Sequence, residues 1–300
     1  MLLPNSSNLE EKFSLLKKIS DDFFLATGAL PLIASEIEFY LSDSSCLAAI
    51  NDECRDRSIN IAPIEKESGE GQYEISVFSL LPPLRAAETI NDIKNIISSC
   101  AEKYKAKSFI SSKPFEQQPG CGLHINISLH DKNGKNLFNK NNDKEETQAL
   151  LYSVGGLMAT MSESMLFLAP LEESYKRFTA EHNIEVSPDE PMQKYNNAPV
   201  NISWGGNNRT TAIRIPASTA YPENRHIEHR VSCADADPYL AISAVLAGIE
   251  YGIIKKITPP PKIYGNAFDK QYDLPSLPQN LEQAKKAYRK GKVINGYLKL

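Results

Sequence analysis

Four short segments in which polar and apolar residues alternate place the strongest constraint on how this chain folds. They read ASEIEFYL, GQYEISVF, GLHINISL and RHIEHRVS. Because successive side chains of a β-strand point to opposite sides, residues two apart share a face. Each segment therefore has one aliphatic or aromatic face and one polar face. The pattern predicts an antiparallel sheet whose apolar face is covered by helices.

The polar faces of these segments are rich in acids and also carry histidine and arginine, unlike an ordinary solvated face, which is mostly Thr, Lys and Ser. One interpretation remains a sheet that is simply wet on one side. The other is that neighbouring strands bring like charges together, which is destabilising unless a cation lies between them. The candidate ligands for such a cation are Glu36, Glu38, Glu67, Glu74, His124 and Glu228.

Five carboxylates and one imidazole would give each of two ions three protein ligands. Oxygen-rich ligation without sulfur favours Mg²⁺ or Mn²⁺ over zinc or copper. The complementary positive charges are those of Arg177, Arg209, Arg214 and Arg230. Taken singly, each arginine fits an ordinary surface or salt-bridged residue. Facing a metal pair, they fit phosphoryl transfer, in which catalysis is mostly positioning and charge neutralisation.

Five segments around these strands predict helices. The first begins at Ser7, with Glu10 in capping-box spacing. The others run over about 84–104, 149–168, 238–254 and 280–290. The apolar run Ala149–Leu171 is long enough to cross a membrane, but Glu163 within it favours a buried helix.

The composition excludes several classes of protein. A total of 33 basic against 37 acidic residues gives a formal net charge of −4, which excludes a strongly basic nucleic-acid binder. Five cysteines without a C-x-x-C pair, and an N-terminus without a signal-peptide pattern, predict a cytoplasmic protein with free thiols and no membrane partner. The segment Gly69-Glu70-Gly71 does not continue as a dinucleotide-binding motif, and the sequence contains no P-loop pattern.

Longer motifs contain the alternating segments and extend over about residues 30–270. They are SEIEFYL, ESGEGQYEI, KPFEQQPGCGLHINISL, ESYKRF, NAPVNISWGGNNRTTAIRIPAS, RHIEHRVSCADADPYLAISAVLAGIEYGI and GNAF. In this order they resemble the catalytic domain of the glutamine synthetase family, in particular its branch of γ-glutamylpolyamine and γ-glutamylmethylamide synthetases. The resemblance implies an α+β fold, with an antiparallel barrel-like sheet, a charged concave face and helices outside. It also implies one catalytic domain over 1–300, with a leading helix in 1–30 and a long flap loop over 178–197.

The resemblance further implies a role for each candidate residue. One metal ion would be held by Glu38, Glu67 and Glu74, and the other by Glu36, His124 and Glu228. ATP would contact Asn126, Ser128, Arg209 and Arg214, of which the two arginines would also be catalytic. The acid substrate would contact Gly120, Arg177 and Arg230.

Three departures from the family pattern bear on activity. The family's small N-terminal β-grasp domain, which completes the site of a neighbouring subunit, is expected to be absent. Asn197 stands where the family has the flap glutamate that accepts the ammonium proton, and an amide cannot act as that base. The flap is also longer than usual, and its acids are candidates to replace the missing base: Glu181, Glu185, Asp189 and Glu190.

The implied function is an ATP-dependent carbon–nitrogen ligase that forms γ-glutamyl phosphate and transfers the acyl group to ammonia or another amine. ATP would be the co-substrate, and two Mg²⁺ or Mn²⁺ ions the cofactors. The partners would be glutamate or a similar acid, an amine, and either further copies of the chain or a full-length relative. The alternative is a catalytically silent relative that binds metal and nucleotide in a regulatory role, because the β-grasp domain and the flap glutamate are missing.

Overall fold

A mostly antiparallel sheet organises the computed structural model, which describes residues 8–140, 146–178, 198–217 and 222–299. Within these ranges the strands are β1 (Leu30–Leu41), β2 (Glu65–Lys66), β3 (Gln72–Leu81), β4 (Ser108–Phe109), β5 (Leu123–His130), β6 (Trp204–Gly205), β7 (Ile213–Arg214) and β8 (Ile227–His229). Their order is β2-β3-β1-β5-β8-β7-β6, and β4 pairs with β1. The predicted α+β fold is confirmed. One departure is that β6 and β7 are parallel, and neither two-residue strand carries a usable alternation pattern.

The two faces of β1 differ in burial as the alternation predicts. Ile33, Ile37 and Phe39 are fully buried, whereas Glu36 and Glu38 are partly exposed. Helix α3 (Pro83–Lys103) packs against the apolar side of this strand. Removing these side chains from water stabilises the sheet by about 1.5–3 kcal/mol for each large aliphatic or aromatic residue. The other face of the sheet is thereby left for polar side chains.

The remaining helices pack around α3 and around one another. They are α1 (Leu9–Thr27), α2 (Leu47–Asp56), α4 (Gln148–Leu168), α5 (Pro238–Lys255), α6 (Leu281–Lys290) and α7 (Ile294–Tyr297). Helix α5 contacts α1, α3 and α4. All five predicted helices are confirmed to within a few residues. Helix α2 was not predicted because its short sequence buries only Ile50 and Cys54, too few positions to form a recognisable stripe.

The first helix begins later than the capping-box pattern at Ser7 predicts. Asn8 is its N-cap, and the Asn8 side-chain oxygen accepts a hydrogen bond from the Glu11 backbone N–H at 2.8 Å. Asparagine caps a helix as well as serine does, because its oxygen also reaches the third N–H of the first turn. Ser7 itself lies outside the described residues.

The two most apolar helices, α4 and α5, cross at glycines. A Cβ atom added to Gly156 would lie 2.1 Å from the carbonyl oxygen of Gly248 and 2.5 Å from the Cα of Gly252. The helix backbones therefore touch, which no larger residue would allow. Among the described residues, α5 is the one helix long and apolar enough to span a membrane, but 78% of it is buried within the protein. Both helices are part of the core.

Replacing Gly156 with alanine is expected to lower the free energy of unfolding by about 2 kcal/mol, because the added methyl group must push the two backbones apart. The matched control is Gly296→Ala in α7, where an added Cβ meets no atom within 4 Å. Alanine there is expected to be neutral or slightly stabilising. Urea unfolding followed by circular dichroism measures both changes. Equal stability of the two variants would contradict the close backbone contact.

Candidate active site

The register of the sheet brings the polar side chains together on one face. The residues directly opposite each other are Glu36 and His124, Glu38 and Glu74, Asn126 and Glu228, and Arg214 and Glu228. Opposed residues in antiparallel strands have Cβ atoms about 4.5–5.5 Å apart. Residues that are distant along the chain thus become neighbours on β3, β1, β5, β8 and β7.

His124 lies at the centre of the carboxylates. Its Nδ1 is 2.8 Å from the Glu36 Oε2 and 3.8 Å from the Glu228 Oε1. Its Nε2 is 3.8 Å from the Glu38 Oε1. The imidazole is buried, and its two nitrogens face different carboxylates. His124 therefore lies between two groups of acids and is within reach of both.

The side of the site nearer β3 carries unbalanced negative charge. Burial, followed by repulsion from three neighbouring carboxylates, raises the pKa of Glu74 to about 9. These neighbours are Glu36, Glu38 and Glu67. Burial, followed by the charge of Glu38, also raises the pKa of Glu67. Within the described residues Glu74 has no ion pair with lysine or arginine, and its side chain accepts one hydrogen bond, from Ser76.

On the side of the site nearer β8, hydrogen-bond donors and positive charges balance the carboxylates. Burial alone would raise the pKa of Glu36. The hydrogen bond and charge of His124, with smaller effects of Asn126 and Arg230, outweigh burial and lower the pKa to about 2. Burial opposes ionisation of Glu228 as well, yet the charges of Arg230, His124 and Arg214 hold the pKa of Glu228 below its usual range. Both carboxylates are therefore ionised at neutral pH and can act as ligands.

The donor set fits divalent cations. Ligand atoms of Glu36, His124 and Glu228 lie within 4.8 Å of one another, as do those of Glu38, Glu74 and His124. Oxygen predominates in both groups, as Mg²⁺ and Mn²⁺ prefer. A cation between the acids would also relieve the repulsion that raises the pKa of Glu74. Glu67 is outside these tight groups but lines the same cavity as Glu38 and His124.

Arginine side chains lie beside these acids, and of them Arg177 and Arg230 line the cavity. Arg214 donates from Nη1 to the Glu228 Oε2 at 2.5 Å, and Arg230 donates to Oε1 of the same carboxylate. Asn207 fixes the Arg214 guanidinium, because its Oδ1 accepts from Nε at 3.0 Å and from Nη2 at 2.6 Å. Arg209 lies in the turn between β6 and β7 and is exposed. Burial and the charge of Glu38 raise the pKa of Glu67, and the charge of Arg209 offsets a small part of that rise.

Arg177 reaches the cavity from a 3₁₀ turn, Glu172–Phe178, and is buried. Its guanidinium donates to the backbone carbonyls of Arg230, Val231 and Ser232 at 3.1–3.4 Å. Gly120 makes room for it, because a Cβ atom there would lie 2.9 Å from the Arg177 Cγ. The sequence-predicted pair of Gly120 and Arg177 is thus in direct contact.

The remaining predicted residues differ in what the structure places around them. Asn126 donates to the Glu36 Oε1 at 2.9 Å, and its buried Oδ1 has no hydrogen-bond partner among the described residues. Ser128 is buried two residues further along β5, and its hydroxyl lies 3.0 Å from the His130 Nε2. Asn197 and the flap acids fall outside the described residues. Their roles stay predictions.

Gln72 is a residue of the cavity that sequence reasoning did not select. It is almost fully buried, accepts a hydrogen bond from the Gly69 N–H at 3.0 Å and donates to the Gly120 carbonyl at 3.1 Å. It therefore holds the Gly120 segment against the start of β3. Its position two residues before Glu74, on the same strand face, was the available signal.

Comparison with known proteins gives a family for this arrangement. Residues 41–299 match the family model described as "Glutamine synthetase, catalytic domain". This match begins after Glu36 and Glu38, so the positions of those two acids rest on the sheet register. A solved structure of a GmaS–ADP complex superposes with a TM-score of 0.82 at 22% identity, covering 95% of this chain and 69% of that chain. This likeness shows the fold.

Two curated relatives give the same indication. Gamma-glutamylputrescine synthetase PuuA of Escherichia coli (strain K12) is 28% identical over 279 residues, which cover 81% of this chain and 56% of the relative. A glutamine synthetase of Pyrococcus horikoshii is 32% identical over 238 residues, which cover 77% and 49%. The chain therefore spans about half the length of these relatives. Since the family model matches most of its residues, the chain belongs to the glutamine synthetase family, by its catalytic domain.

Proposed function

We propose that this chain catalyses ATP-dependent formation of a carbon–nitrogen bond. The γ-carboxylate of glutamate attacks the γ-phosphate of ATP and forms γ-glutamyl phosphate and ADP. Ammonia or another amine then attacks the acyl carbon, loses a proton and displaces phosphate. The observation that carries the proposal is that the acids around His124 and the arginines paired with Glu228 lie together on one face of the sheet, beside a cavity that Glu38, His124 and Arg230 line. Phosphoryl transfer requires metal ligands and positive charge in one place.

The acids are proposed to hold two Mg²⁺ or Mn²⁺ ions. One would be bound by Glu38, Glu67 and Glu74, and the other by Glu36, His124 and Glu228. When bound, the ions supply positive charge against the phosphate oxygens and the carboxylates. The raised pKa of Glu74 supports a cation on the β3 side, because that acid has no arginine or lysine partner in the described part of the chain.

The arginines and the polar residues of β5 are proposed to hold the substrates. Arg209 and Arg214 would bind the transferring phosphate, where a planar guanidinium offers paired donors. Arg177, Arg230 and the backbone at Gly120 would bind the glutamate carboxylate. Asn126 and Ser128 would contact ATP. The buried Oδ1 of Asn126 finds no hydrogen-bond partner in the part of the chain that the structure describes, which supports a ligand contact there.

The protein partner and the compartment are also proposals. Further copies of this chain or a full-length relative are the proposed protein partners, and the five free, buried cysteines fit a reducing cytoplasm. The described residues contain no observation that favours the catalytically silent alternative. Its support is the sequence, in which Asn197 stands where the family has the flap glutamate, and that position lies outside the described residues.

The direct test is phosphate release from ATP by the purified protein with Mg²⁺ or Mn²⁺. Release is expected only when glutamate and an accepted amine are both present, across a panel of ammonia, methylamine and diamines. Mass spectrometry of the γ-glutamyl product identifies the amine. Binding of ATP with metal but no turnover, alone or mixed with a full-length relative, would favour the silent alternative and exclude the ligase.

Arg209→Ala is expected to lower kcat about 100-fold or more, because it removes a charge opposite the transferring phosphate. The thermal midpoint should hardly change, since Arg209 is exposed. Arg55→Ala provides the matched control, because the Arg55 side chain is 67% exposed and pairs with Asp52 away from the sheet face. A loss of activity shared by both variants would mean that the assay reports overall charge instead of the site.

Glu74→Gln is expected to raise the metal-free thermal midpoint at pH 8 by about 2–4 °C, because it removes one of the crowded acids. The folded pKa of about 9 exceeds the value of about 4.3 for an unfolded Glu, so metal-free wild type loses stability as pH rises between these values. The Glu74→Gln variant should lose less stability than wild type over the same pH range. It should also need about tenfold more Mn²⁺ for the same thermal shift.

Glu102→Gln is the control for this prediction, because Glu102 is exposed on α3. It should leave the metal-free midpoint, its pH dependence and the Mn²⁺ response unchanged. Differential scanning fluorimetry at several pH values and Mn²⁺ concentrations measures all three. If Glu74→Gln lowered the metal-free midpoint and kept the full Mn²⁺ response, Glu74 would not belong to a metal site.

A further inference from the structure

Three segments that are distant along the chain supply the groups proposed to bind the acid substrate. Gly120 lies in the loop between β4 and β5, Arg177 lies in the 3₁₀ turn after α4, and Arg230 follows β8. All three residues line one cavity. Their relative placement therefore depends on contacts between segments, which no single strand or helix supplies.

One carboxylate, that of Asp235, joins these segments. Its Oδ2 accepts hydrogen bonds from the backbone N–H of Ser112, at 3.2 Å, and from the Ser112 hydroxyl. Both of its oxygens lie 3.2 Å from the Ser174 hydroxyl. Asp235 itself follows Arg230 by five residues, so it stands on the third segment. Hydrogen bonds to an ionised acceptor are shorter and stronger than neutral ones.

Ser112, which Asp235 holds, is in direct backbone contact with the Gly120 segment. The Ser112 carbonyl accepts from the Cys121 N–H at 2.8 Å. The same carbonyl would lie 2.6 Å from a Cβ atom on Gly120, so the two backbones are in close contact. Fixing Ser112 therefore fixes where the Gly120 peptide faces the cavity.

The hydrogen bonds between Asp235 and Ser174 also restrain Arg177. Ser174 and Arg177 are three apart in a 3₁₀ turn, which has three residues per turn, so they lie on the same side of it. The Ser174 carbonyl also lies 3.9 Å from the Cys233 thiol, two residues before Asp235. The start of the turn is thus held on the side from which Arg177 reaches the carbonyls of Arg230, Val231 and Ser232.

We propose that Asp235 is the positioning residue of the acid-substrate pocket: through Ser112 and Ser174 it sets the distance between Gly120, Arg177 and Arg230. This inference rests on the proposed function, which assigns those three residues to the substrate carboxylate. Asp235 acts on the affinity for glutamate and leaves the nucleotide side of the site alone. A displacement of about 1 Å of such groups is enough to cost about 100-fold in rate.

The test compares Asp235→Asn with Asp237→Asn by steady-state kinetics. Asp237 is the matched control, because it stands in the same loop but caps α5 and pairs with Lys12. Asp235→Asn is expected to raise KM for glutamate about tenfold, while KM for ATP stays within about twofold. Asp237→Asn is expected to lower the thermal midpoint and to change neither KM. Ser174→Ala should reproduce part of the Asp235→Asn effect.

A change of less than twofold in KM for glutamate, or equal increases in both KM values, would overturn the proposal, since the second result is what general destabilisation produces. If the wild type shows no turnover, the proposed function fails separately. In that case, calorimetry of glutamate binding with Mn²⁺ and a non-hydrolysable ATP analogue tests the positioning role of Asp235 independently of turnover. Weakened binding in Asp235→Asn alone supports the positioning role, and equal binding in both variants, or none in the wild type, overturns it.

Discussion

Repulsion between carboxylates on one face of the sheet is the constraint on which the rest of the structure depends. Glu38 stands opposite Glu74, and Glu36 stands next to both on the same face. Such a pairing is unfavourable in an antiparallel sheet. It persists because the other face of the same strands is a dry core, so that turning a strand to separate the acids would expose residues such as Ile37 and Ile75. Burial of the core face thus keeps the carboxylates close enough to one another to bind a cation.

Charge balance changes from one side of this face to the other. On β3, Glu74 is crowded by acids, and its pKa is raised. On β8, Glu228 is held between Arg214 and Arg230, and its pKa is lowered. His124 stands between the two sides. A site built this way separates a region that attracts cations from a region that attracts anions, and the proposed binding of a nucleotide with metal ions would use both.

Sequence periodicity could predict the faces but not the contacts between them. A period of two places Glu36 and Glu38 on one side of β1, whatever the partner strands are. The alignment of Glu36 with His124 depends on register, which the alternation alone does not determine. The role of Gln72 depends on the Gly120 carbonyl, 48 residues away, and that contact leaves no local pattern. The sequence predicts a helix start at Ser7, but the N-cap is Asn8, because serine and asparagine are equivalent caps and pattern alone does not choose between neighbours.

Arg177 shows why buried contacts with backbone matter for function. Its guanidinium donates to three carbonyl oxygens, and in the described residues it has no carboxylate partner. Carbonyl dipoles satisfy hydrogen bonds without cancelling the positive charge, whereas Glu228 offsets much of the charge of Arg214 and Arg230. Arg177 is therefore both fixed in place and electrostatically available. A guanidinium in that state favours an anionic group entering the cavity, and a carboxylate fits its planar donors.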